Sequence, residues 1–168
     1  AEVDHLEKIQ GQRISMDGRA VRLSSLVRSH GTMMTQGLAV TPLLAGWDES
    51  AHRGRIFSYD GTGGQTEEHS HACVGSGALF ASDVLNEGYR TGMDRDESVA
   101  LAIRALDTAI SDDSPSSLSG PDLSRGLYPT VACADSRGVT RMPTEEVAVL
   151  AKWLADQVTA ESDREEAQ

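Results

Sequence analysis

No stretch of this 168-residue chain approaches the roughly 20 consecutive apolar side chains needed to cross a bilayer. The opening Ala1-Glu2-Val3-Asp4-His5 has neither the basic start nor the apolar core of a secretory signal. These absences predict no membrane association and a cytoplasmic setting. Cysteine is scarce too. Cys73 and Cys133 are the only two, lie far apart, and each sits in an apolar, strand-like context, which predicts buried free thiols rather than a disulfide. A surplus of positive charge is also missing. The formal charge is −11, and Arg13, Arg19, Arg22, Arg28, Arg53 and Arg55 are interleaved with apolar residues rather than gathered in a run. Such a chain repels phosphate backbones, which argues against a nucleic-acid partner.

What is present fits a globular chain: 39% hydrophobic and 24% charged residues exclude wholesale disorder and collagen-like repeats. The length predicts one domain, 1–160, with 161–168 a disordered tail. Val3, Leu6 and Ile9 stand at near-helical spacing before Gly11, and Asp17 offers an N-cap to a second helix with Val21, Leu23, Leu26 and Val27 apolar, closed at Gly31. Met33 to Trp47, interrupted by Gly37, Pro42 and Gly46, suits a buried strand. Arg55 to Tyr59 and Gln65 to Val74 flank Asp60-Gly61-Thr62-Gly63-Gly64, a hairpin composition. Gly75-Ser76-Gly77 leads into a helix that Gly88 closes. Asp94 or Asp96 caps the next, with Val99, Ile103, Leu106 and Ile110 as its apolar stripe. Those two helices are expected on one sheet face. After a loop over 111–120, Leu127 to Ala134 and Val139 to Met142 form a hairpin around Ser136-Arg137-Gly138. Pro143 and Thr144 then open a last helix with Val147, Leu150, Ala151, Leu154 and Val158 apolar. Segregated runs of helices and strands predict an α+β or layered sandwich rather than alternating βαβ units.

The residues that could carry chemistry each have a plainer reading. The turn from Gly61 to Gly64 lacks the following Lys-Ser/Thr and helix start of a phosphate-binding loop, so it reads as a hairpin. His69 and His71 alternate and would share one strand face, but no third ligand stands at recognisable spacing, so an ordinary solvated face explains them better than a metal. Ser76 lies between glycines at a strand-to-helix junction like a nucleophile elbow, yet without the G-x-S-x-G frame; N-capping also explains a serine there.

The strongest signal is collective. Leu6-Glu7-Lys8-Ile9-Gln10-Gly11, Gly37-Leu38-Ala39-Val40 with Pro42-Leu43-Leu44, Gly54 to Asp60, Gly75-Ser76-Gly77 and Gly120-Pro121-Asp122-Leu123-Ser124-Arg125-Gly126-Leu127-Tyr128-Pro129-Thr130 follow in order. Together, over residues 2 to 158, they resemble proteasome β-type subunits of actinobacteria. The resemblance implies the N-terminal-nucleophile hydrolase fold, here a partial four-layer αββα sandwich. It also implies threonine-type endopeptidase chemistry on unfolded polypeptides, with other β subunits and α subunits as ring partners and no cofactor.

In that family an N-terminal threonine attacks the peptide carbonyl, its own α-amine relaying the proton, with a lysine and an aspartate on early strands tuning it. Residue 1 here is Ala, and the only lysines are Lys8 and Lys152, on the first and last expected helices. The chain thus reads as lacking the family's N-terminal third and as inactive alone. By resemblance it keeps a supporting shell: Ser76, which helps hold the nucleophile's amine, Asp113, and Ser116. The longer loop from Ser114 to Ser119 leaves Leu118 or Ser119 open in place of Ser116, and Asp113 also reads as an ordinary loop residue. The rival class is a non-catalytic assembly or interaction module of a proteasome-like ring. A small-molecule-binding α/β domain is a third class, resting only on the glycine turns and the Ser76 junction.

Overall fold

The computed structural model describes residues 14–30, 40–112 and 126–154. The helix expected before Gly11, the segment 31–39, the loop carrying Asp113 and Ser116, and the residues beyond 154 lie outside this set. The chain divides into two compact units, Ala1–Val74 with Ala134–Val139, and Gly75–Cys133 with Thr140–Gln168.

In the first unit, helix α1 (Met16–Ser29) begins at Ser15, whose hydroxyl accepts from Gly18 N at 3.1 Å. Ser15, not Asp17, is the cap. Asp17 stands in the first turn, where its charge suits the helix dipole, and its carboxylate receives Arg55 instead. The buried stripe is Met16, Ala20 and Ser24, spaced four residues apart, while Val21, expected in the core, is 55% exposed. His30 caps the end of the helix.

Strands β1 (Leu43–Asp48), β2 (Arg53–Tyr59) and β3 (Gln65–Glu68) form an antiparallel sheet in that order. Leu44 pairs with Phe57, and Phe57 with Glu67. β1 is confined to the end of the apolar run expected as one strand. β3 stops at Glu68, so 69–74 is irregular and His69 and His71 do not alternate on a strand. Met16 and Ala20 pack on Phe57 and Tyr59, with Leu23 and Leu44 beside them, and Tyr59 Oη donates to Ala20 O at 3.1 Å.

The β2–β3 turn is built as its composition predicts. Asp60 Oδ1 accepts from Thr62 N, Thr62 Oγ1 and Gly64 N at 2.7 to 2.8 Å. Gly63 adopts φ +83, and a Cβ there would lie 2.7 Å from Ser24 O, while Ser24 Oγ donates to Gly63 O at 2.5 Å. The turn is thereby fastened onto α1.

In the second unit, α2 (Ala78–Gly88) and α3 (Arg95–Asp112) pack on one another. Asp94 is the cap of α3, in a reciprocal box: Glu97 N donates to Asp94 Oδ1 at 2.9 Å and Asp94 N donates to Glu97 Oε2 at 3.0 Å. Val99 and Ile103 are buried as expected, but Leu106 is exposed, its place in the stripe taken by Ala105 and Ala109. Gly88 is the last residue of α2, without a left-handed φ. The helix ends there as expected, and a Cβ at Gly88 would also meet the Leu101 side chain of α3.

Strands β4 (Ala132–Asp135) and β5 (Gly138–Arg141) form the later hairpin, shorter than expected on its first arm, with Gly138 at φ +126. The final helix, α4, covers 144–154. Its Val147 and Ala151 join Val99, Ile103 and Met142 in one core, with Tyr128, Val131, Leu150 and Leu154 around it. Cys73 and Cys133 are free thiols, as expected, but half-buried rather than enclosed. The described elements make a mixed α+β protein.

Candidate functional site

Ser76 sits in the three-residue junction that opens α2, and each flanking glycine has its own physical cause. Gly75 adopts φ +117, a conformation that other residues rarely take, and its carbonyl accepts from Ala78 N at 3.2 Å. Gly77 has an ordinary φ of −82, but a Cβ there would lie 2.8 Å from Ala109 Cβ and 3.0 Å from Ala109 O on α3. Backbone geometry fixes one side of the serine and helix packing the other. Ser76 is exposed between them.

Gly77 holds the N-cap position, and no side chain caps α2. Gly77, and not Ser76, therefore takes the place that the capping explanation gave the serine. The junction also follows an irregular segment rather than a strand, so the likeness to a nucleophile elbow ends at the glycines. Ala109 lies one turn before Asp112, the last residue of α3, and Asp113 follows directly in sequence. Asp113 and Ser116, with the alternatives Leu118 and Ser119, fall outside the described residues. Ser76 is thus the member of the expected shell whose geometry can be stated.

Sequence reasoning missed a dense polar cluster among the described residues of the first unit. Arg55, only 10% exposed at its side chain, donates to Asp48 Oδ2 at 2.8 Å on β1, to both oxygens of Glu67 at 2.7 and 2.9 Å on β3, and to both oxygens of Asp17 at 2.9 and 3.1 Å on α1. Its guanidinium also lies 4.8 Å from the centre of the Phe57 ring. The other Asp48 oxygen accepts from Ser50 N, Ser50 Oγ and Ala51 N at 2.6 to 3.1 Å, holding the β1–β2 turn.

The Ser50 hydroxyl first, and Arg55 next, hold the Asp48 carboxyl well below the ordinary carboxylate range. Hydrogen bonding from Arg55 lowers Glu67 to about 2. Each carboxylate is matched by donors, so the cluster reads as a structural tie among α1, β1, β2 and β3 rather than a proton-transfer site. Glu67 pairs directly with Phe57, so Arg55 is its diagonal neighbour on β2, a cross-strand signal that only a fixed register makes visible.

Among the described residues no three His, Cys, Asp or Glu side chains converge to hold a metal, and no helix is long and apolar enough to cross a membrane. A cavity of about 500 Å³ opens in the first unit beside Met16, Leu44, Trp47 and the hairpin tip at Ser136 and Arg137.

Comparisons with known proteins cover most of the chain. The family model described as proteasome subunit matches residues 1–120. The chain is 39% identical over 162 residues to a proteasome subunit beta of Streptomyces griseus, covering 96% of this chain and 57% of that relative. It is 38% identical over 156 residues to a proteasome subunit beta of Jonesia denitrificans, covering 93% of this chain and 51% of that relative. The chain therefore spans a little over half the length of these curated relatives. With the family model matched over 120 of 168 residues, this chain belongs to the proteasome subunit family.

Proposed function

We propose that this chain is part of a β-type subunit of a proteasome core particle, a threonine-type endopeptidase that degrades unfolded polypeptides in the cytoplasm. Its partners in this reading are other β subunits and α subunits in heptameric rings. Residues 1–160 then belong to one proteasome-β-like domain with the four-layer αββα arrangement, and 161–168 form a tail. The observation that carries the proposal is the near-complete alignment of this chain with two proteasome β subunits at 38% and 39% identity.

In the proposed chemistry a threonine hydroxyl adds to the peptide carbonyl while the threonine's own α-amine takes the proton. Ser76 would orient that amine, with Asp113 and Ser116 completing the shell. Supporting this role, Ser76 is exposed, is not the cap of α2, and is held by two glycines that each have an independent reason to be glycine.

A second reading is a non-catalytic assembly or interaction module of a proteasome-like ring. The test is hydrolysis of fluorogenic peptides. Particles containing these residues should cleave. Assembled particles that never cleave any peptide, whatever their composition, would sink the endopeptidase reading and leave the assembly module.

A further inference from the structure

We draw no further inference here: the strongest candidate, the cavity in the first unit between the start of α1, the end of β1 and the tip of the β4–β5 hairpin, has a lining of mixed charge whose buried Asp48 is already matched by Ser50, Ala51 and Arg55, and nothing in the structure shows what covers it.

Discussion

Gly77 and Ala109 meet so closely that a methyl group added at Gly77 would stand 2.8 Å from Ala109 Cβ. The contact seats the start of α2 on the far end of α3 and sets where Ser76 is presented. A Gly77→Ala substitution must push the two helices apart, an overpacking cost of about 1–3 kcal/mol. At about 2–4 °C per kcal/mol for a chain of this size, the thermal midpoint should fall clearly. Differential scanning calorimetry checks this, and a Gly77→Ala chain melting with the parent would mean that the helices do not touch there.

Ser76→Ala separates position from packing. The side chain is exposed, and surface substitutions usually cost no more than about 0.5 kcal/mol, so the melting temperature should change little. In an active particle the same change should lower peptide turnover about five- to 150-fold, the loss of one positioned hydrogen bond worth about 1–3 kcal/mol, with ring assembly intact. Unchanged turnover would remove Ser76 from the proposed shell.

Gly63 is restrained twice, by φ +83 and by Ser24 O. Gly63→Ala should destabilise the chain by at least about 1–2 kcal/mol, the cost of a left-handed residue alone. Gly54→Ala serves as the control, because a Cβ at Gly54 meets nothing within 4 Å. Chemical denaturation of the two variants should separate them, and equal midpoints would contradict the packing of the turn on α1.

Arg55 joins three carboxylates, and its removal should be felt in all of them. Arg55→Met leaves Asp48 without its charged partner, and the thermal midpoint should drop by several degrees. Arg55→Lys should recover only part, since an ammonium cannot reproduce the guanidinium fork. A lysine variant as stable as the parent would show that charge alone, not geometry, matters.

The same cluster sets a pH dependence. Glu67 is held at about 2, below its ordinary 4.5, so its ionised form stabilises the folded state. That contribution is complete above about 4.5 and is lost as pH falls toward 2; Asp48, also lowered, adds to the loss in the same direction. Urea midpoints measured from pH 5 down to pH 2 should fall, and Glu67→Gln should flatten the curve. A Glu67→Gln chain with the parent's full slope would place the titration elsewhere.

Local chemistry was legible in the sequence where one short segment determines the outcome. The run from Asp60 to Gly64 gave the turn, Asp94 stood as one of two cap candidates, and Val147 with Ala151 gave the buried face of the last helix. Long-range competition was not legible. Asp17 looks like a cap until Arg55, 38 residues away, takes its carboxylate and leaves the cap to Ser15. Leu106 and Val21 fit an apolar stripe by spacing, yet smaller alanines occupy the close contacts and both larger side chains stay exposed. Ser76 stood out in the sequence by its flanking glycines, but its role in a shell came only by resemblance; the cause of the second glycine appears once Ala109 is known to lie against it.

The central claim is that this chain works as a β-type subunit inside a proteasome core particle. Native mass spectrometry of the tagged chain purified from its own cells tests it most directly. The account predicts a particle of stacked seven-membered rings containing both this chain and α-type subunits. A monomer, or a complex without α-type subunits, would contradict it.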